Sequence, residues 1–211
     1  MSSEYTIEDF SSEITVNQDT SLTVEERISV YFSAPKHGIF RVIPVIYNSG
    51  GRTIRAKLKV VSITDETGKD YHYEESRDRQ SIKLKIGDPQ ETITGPHTYV
   101  IKYTISEVLL PYEDHDEVYW NVTGHEWDTI IKKSSAKVVS PFAPITKIAC
   151  FSGPFGSKEE QCAGDFNHQE AVFTSSVSLN PGDDFTIVVA LSKDNQLKFP
   201  GLIKRIVNFL I

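Results

Sequence analysis

Both tryptophans of the chain fall within eight residues, in Asp116–Trp127, DEVYWNVTGHEW. Around them stand Glu113, Asp114, His115, Asp116, Glu117, His125, Glu126 and Asp128, whose carboxylates and imidazoles are the groups used for acid–base work or for holding a cation. A glycoside hydrolase needs two carboxylates about 5 to 9 Å apart across a cleft, and a calcium site needs six or more oxygens. No spacing here matches an EF-hand loop, His-Glu-x-x-His, G-x-S-x-G or a glycine-rich phosphate loop, so no catalytic residue, metal ligand or cofactor is assigned. A second reading is recognition, with an exposed tryptophan stacked on a sugar ring or a partner's surface and acids beside it. A third makes Trp120 and Trp127 anchors of the fold, with Asn121 or Thr123 satisfying a turn that Gly124 permits. The anchoring reading ranks first and the recognition reading second. Asp116, Trp120, His125 and Trp127 stand as candidate ligand or partner contacts.

Arg41 joins them. It lies in HGIFRVIP between Phe40 and Val42, where a guanidinium either meets a buried carboxylate or grips an anionic ligand through two parallel hydrogen bonds. Gly38 marks a tight turn there and Pro44 a strand end. The two cysteines, Cys150 and Cys162, close CFSGPFGSKEEQC, a short loop with two glycines and a proline. A disulfide between them is the expectation, and it would persist only in an oxidising compartment. Two free buried thiols are the alternative, and a zinc site lacks its four ligands, since His168 offers only a third.

Strands must position these groups. From Ser21 to Phe32 the even positions read Leu22, Val24, Glu26, Ile28, Val30, Phe32 against a polar odd row, a period of two with Glu26 its one exception. Glu13 to Asn17 alternates likewise, and Asn17-Gln18-Asp19-Thr20 supplies hairpin turn residues. One-sided strands follow at Thr53 to Val60, Ile82 to Ile86 and Tyr99 to Ile105, with breaks at Ser49-Gly50-Gly51, Thr67 to Asp70 and Gly87-Asp88-Pro89. Glu107 to Asp116 breaks the alternation and holds Pro111. Beyond it come candidate strands at Val118 to Val122, Ser135 to Ser140, Thr146 to Phe151, Ala171 to Leu179 and Phe185 to Leu191. Helical periodicity is confined to Leu202 to Ile211.

The fold class expected is therefore all-β, an antiparallel β-sandwich of two packed β units with little helix. The units fall at 1–106 and 117–198, with a crossover at 107–116. A tail at 199–211 ends apolar beside Lys204 and Arg205; it reads either as a last packed element or as a juxtamembrane segment, and is too short to span a bilayer. A net charge of −7 without a basic cluster before the last dozen residues argues against nucleic acid as a partner. The opening Met-Ser-Ser-Glu-Tyr has no charged and apolar leader. A cytosolic protein and a mature domain with an expression start both fit.

Five segments occur in an ordered series: HGIFRVIPVIY at His37 to Tyr47, IGD at Ile86 to Asp88, TGPHTYVIKY at Thr94 to Tyr103, DEVYWNVTGHEW, and CFSGPFGS at Cys150 to Ser157. Over about residues 5 to 195 the chain resembles the amino-terminal region of the bacterial predicted-membrane-protein family called domain of unknown function 2207. The resemblance implies a signal peptide, an extracytoplasmic β domain and transmembrane helices beyond it, but no reaction. The function expected is a membrane-tethered extracytoplasmic binding or interaction module at the cell envelope, on the outer side of a bacterial membrane, rather than an enzyme. Its partner would be an envelope protein or a glycan, and its membrane attachment would lie outside these residues. The alternative is an envelope hydrolase or metal-dependent adhesin using the acidic and histidine residues around Trp120. Convergence of Asp116, His125 and Glu126 on an open cleft would favour that alternative.

Overall fold

The computed structural model describes residues 4–49 and 52–199, and among them there are sixteen strands and no helix. In chain order these are β1 (Tyr5–Val16), β2 (Leu22–Lys36), β3 (Ile39–Pro44), β4 (Ile46–Ser49), β5 (Arg52–Arg55), β6 (Lys57–Thr64), β7 (Tyr73–Arg77) and β8 (Ser81–Ile86). They continue as β9 (Ile93–Ser106), β10 (Leu109–Pro111), β11 (His115–Asn121), β12 (Ser134–Val139), β13 (Ile145–Pro154), β14 (Cys162–Phe166), β15 (Glu170–Ser175) and β16 (Asp183–Ser192). A seven-stranded sheet runs β14-β15-β12-β1-β2-β9-β6, and a four-stranded sheet runs β10-β11-β16-β13. A three-stranded sheet, β3-β8-β7, and the β4-β5 pair complete the fold. Pairing is antiparallel except between β1 and β12, which run parallel with Ile14 opposite Val138.

The all-β class follows from the alternation. Leu22, Val24, Ile28, Val30 and Phe32 of β2 are buried, and β9 sets Tyr99, Ile101, Tyr103 and Ile105 beside them in the same core row. The four-stranded sheet brings Val118, Trp120, Ile187, Val189 and Leu191 into the same cluster, where the rings of Tyr103 and Trp120 lie 6.4 Å apart. The first hairpin closes at the expected residues: the Thr20 N–H donates to the Asn17 carbonyl (3.0 Å) and the Asn17 amide reaches Ser21 and Thr23. Gly38 and Gly87 allow β3 and β8 to meet at their ends. A Cβ on Gly38 would lie 1.9 Å from the Ile86 oxygen, and one on Gly87 1.8 Å from the His37 oxygen.

Three expectations need adjusting. The run from Thr53 to Val60 is two strands, because the chain steps from β5, paired with β4, to β6, which joins β9; at the step the Ala56 N–H donates to the Val45 carbonyl. Residues 107–116, read as a crossover, contain β10 and the start of β11, a hairpin whose Leu109 and Leu110 are both buried and so show no alternation. The seven-stranded sheet draws β1, β2, β6 and β9 from before that segment and β12, β14 and β15 from after it, so the boundary is one of chain order and not of sheets. Apart from Phe199, the tail expected at 199–211 lies outside the described residues.

Cys150 and Cys162 form a disulfide. It ties β13, an edge of the four-stranded sheet, to β14, an edge of the seven-stranded one. Closing a loop of this size is worth on the order of 3 kcal/mol through the entropy of the unfolded chain. Replacing both cysteines by serine should therefore lower the urea-unfolding free energy by about that amount, and reductant should destabilise the parent protein but not the double variant.

Candidate functional site

Arg41 points inward from β3 in the row of Ile39 and Ile43 and is 1% exposed. Its guanidinium carries five N–H donors, and five bonds use them. Nε and Nη2 donate to the two oxygens of Glu26, each at 2.7 Å. Nη1 donates to the carbonyls of Val42 (2.9 Å) and Thr123 (2.6 Å), and Nη2 also to that of Val122 (3.2 Å). Glu26, fully buried in β2, accepts a further bond from the Tyr103 hydroxyl at 2.7 Å. The cation lies 5.3 Å from the centre of the Phe10 ring and 5.9 Å from that of Trp127. Of the two roles open to Arg41, pairing with a buried carboxylate is the one its surroundings fill.

The carbonyls that Arg41 holds belong to a turn made by the residues after β11. Gly124 takes a φ of +72°, and a Cβ there would stand 2.9 Å from Arg41 Nη1. Asn121 fixes the turn from both ends of its amide: Oδ1 accepts from the Gly124 N–H (2.8 Å) and Nδ2 donates to Asp184 (2.6 Å). The Thr123 hydroxyl accepts from the Phe185 N–H at 3.0 Å, and the Trp127 indole N–H donates to the Thr123 carbonyl at 2.8 Å. Trp120 is 0% exposed, so neither its indole nor the buried Trp127 presents a face for stacking a ligand. Burial raises the pKa of Asp184 to about 6, against the lowering effects of the Asn121 bond and of His125.

Asp116 lies at the other end of β11. It pairs with Leu191 of β16 where Asn121 pairs with Thr186, so about 17 Å of strand separates the two positions. Its buried carboxylate accepts from Lys193 (2.6 Å) and Asn195 (2.9 Å), pinning the segment after β16. Asp116 therefore does not converge with His125 and Glu126. Among the described residues no three His, Cys, Asp or Glu side chains gather as a metal-binding group.

The outer side of the 121–128 turn is one wall of an open groove. The floor is the outward face of β3 and β8, where Phe40 pairs with Lys85, Val42 with Lys83 and Pro44 with Ser81. Two adjoining cavities, of about 670 and 420 Å³, share Val42, Lys83 and Glu126. His125 lies tilted against Phe155, with ring centres 3.9 Å apart and planes 38° from parallel, and Phe155 is 65% exposed. Of the candidate contacts Arg41, Asp116, Trp120, His125 and Trp127, only His125 lines this groove, joined by Glu126 and Asp128 of the acidic series; Phe40, Val42, Lys83 and Phe155 were passed over. The available signal was HGIFRVIPVIY, apolar at odd and even positions alike, which marks a strand covered on both faces or presenting one.

Replacing Arg41 by methionine should cost about 3 to 5 kcal/mol, because Glu26 would be left buried without its counter-ion. Replacing Glu26 by leucine as well should restore part of this loss in urea unfolding, since no lone charge then remains. Asp184 titrates in the opposite sense from a salt-bridged acid. Its raised pKa contributes stability that is fully present below about 3.8 and is lost as pH rises through about 6. The variant Asp184→Asn should match the parent's melting temperature near pH 4 and exceed it increasingly up to pH 7.

The chain matches, over residues 6–198, the family model described as the N-terminal domain of a predicted membrane protein, DUF2207. Uncharacterized protein YciQ of Escherichia coli (strain K12) is 30% identical over 157 residues, which cover 70% of this chain and 24% of YciQ. Yeast LTA4 hydrolase in complex with bestatin shares the fold with a TM-score of 0.56 at 8% identity, over 88% of this chain and 28% of the enzyme. A two-domain M1 zinc metallopeptidase bound to L-tryptophan does so with a TM-score of 0.50 at 10% identity, over 89% of this chain and 43% of the peptidase. At such identities the likeness to the two enzymes is one of fold alone, and the chain spans about a quarter of YciQ. The chain belongs to the predicted-membrane-protein family DUF2207, as its N-terminal domain.

Proposed function

We propose that this domain stands on the extracytoplasmic side of a bacterial membrane, tethered through other parts of its protein, and serves as a binding module for an envelope protein or glycan. The observation that carries the reading is the Cys150–Cys162 disulfide, a bond that cytosolic thiol pools reduce and oxidising compartments keep. Membership of a predicted-membrane-protein family supports the tether. No helix among the described residues is long and apolar enough to cross a membrane, so the attachment is assigned to other segments. The role as a binder rests on how the polar groups are used. Arg41, Glu26, Asp116 and Asn121 are engaged with protein partners, whereas the groove beside β3 is open.

A cysteine introduced at Val61, which is 61% exposed, reports the compartment. In spheroplasts of cells expressing the full-length protein, a membrane-impermeant maleimide should label Val61→Cys without lysis. Labelling that appears only after lysis would refute the extracytoplasmic placement.

A further inference from the structure

The groove carries a pattern that selects among partners. On the outward face of β3 the side chains of Phe40, Val42 and Pro44 follow one another at every second residue, and Ile46 continues the line. Six residue-to-residue steps of extended chain make this stripe about 20 Å long, with an apolar side chain every 6 to 7 Å. Phe40, at 52% exposure, opens one end, and Phe155 overhangs the other from the loop closed by the disulfide. Such a stripe has the spacing of an extended polypeptide whose alternate side chains face it.

The charges along the groove are nearly all engaged. Asp78 accepts from the Gln80 and Ser81 N–H groups (both 2.7 Å), Glu126 faces His125, and Asp128 accepts from the Tyr5 hydroxyl. Lys36 pairs with Glu4, Arg77 with Glu75, and Lys85 with Glu74. Lys83 differs. It lines both cavities, its ammonium lies 4.3 Å from the centre of the exposed Phe40 ring, and no carboxylate of the described residues lies within ion-pair distance. At the centre of the groove there is thus one cation without a counter-ion, beside an apolar stripe of strand periodicity.

We propose that the outer face of β3 and β8 is a docking groove for an extended polypeptide segment with apolar side chains at alternate positions and a carboxylate that pairs with Lys83. This rests on the binding-module reading and narrows its partner from protein or glycan to protein. The stripe sets the register through its spacing, and Lys83 selects sign.

The test is a titration of the ¹⁵N-labelled domain with two capped nonapeptides, Val-Ser-Val-Ser-Glu-Ser-Val-Ser-Val, whose glutamate shares a face with the valines, and its counterpart with a central lysine. The glutamate peptide should perturb amides of residues 38–46, 81–87 and 124–126. The variant Lys83→Glu should weaken it about tenfold or more and favour the lysine peptide instead. Phe40→Ser should weaken both. Phe40 and Lys83 are exposed, so unchanged melting temperatures confirm that the variants remain folded. Equal affinity of the parent and Lys83→Glu for the glutamate peptide overturns the proposal, as do perturbations confined to another face. If tetra-N-acetylglucosamine perturbs the groove and the peptides do not, the polypeptide inference fails while the binding-module reading stands. Concentration-dependent dimerisation abolished by Phe40→Ser would assign the groove to a second copy of the domain and also overturn it. Silence from every probe overturns it too, and maleimide labelling then reads the placement at the envelope independently.

Discussion

The fold depends on one buried ion pair. Taking a guanidinium and a carboxylate out of water costs several kcal/mol for each ion, and the cost is met only where the two are closely paired and further hydrogen bonds engage them. Arg41 and Glu26 meet that condition with two parallel bonds, three backbone carbonyls and a tyrosine hydroxyl. The partners come from separate sheets: Glu26 and Tyr103 from the seven-stranded, Arg41 from the three-stranded, and the Val122 and Thr123 carbonyls from the turn that leaves the four-stranded. Hydrophobic packing alone tolerates small slips between such layers, whereas a slip here would strand a charge in the core. The pair therefore sets how the three sheets sit against one another.

That constraint reaches the surface through Gly124. Its positive φ shapes the turn, and its missing Cβ leaves room for the Arg41 nitrogen. Asn121 and Thr123 close the turn against Asp184 and Phe185 at the start of β16. The residues next along, His125 and Glu126, form the wall of the groove. Its other overhang, Phe155, sits in the loop that the disulfide closes. A groove whose two overhangs are both fixed from the core needs little ordering when a partner arrives, and pre-organisation of this kind lowers the entropic cost of binding.

Much of this was legible in the chain. The period-two rows gave the core faces of β2 and β9, the turn residues gave the first hairpin, and the cysteine spacing gave the disulfide. Glu26 stood out as the one acid in an apolar row and Arg41 as a cation among apolar neighbours, each a costly violation by itself. What the sequence could not supply was that the two violations cancel, because the residues lie on different sheets and no local pattern couples them. The same limit hid the parallel contact of β1 with β12 and the doubly buried leucines of β10. The acidic and histidine residues around Trp120 looked like a single cluster because they are close in sequence. A strand separates neighbours at about 3.3 Å per residue, so Asp116 and His125 end up at opposite ends of β11.

A stretch rich in tryptophan, acid and histidine is therefore an ambiguous signal when it straddles the end of a strand. Alternation sends Val118 and Trp120 into the core and Glu117 and Tyr119 to the other face, so chemically able residues are dispersed before any site can form. What gathers instead is the residues after the strand, where the chain turns and successive side chains no longer alternate. In this protein that turn carries buried acceptors on its inner side and a wall of the open groove on its outer side. The polar residues of DEVYWNVTGHEW divide accordingly: Asn121 and Thr123 hold the turn to the core, and His125 and Glu126 face the groove.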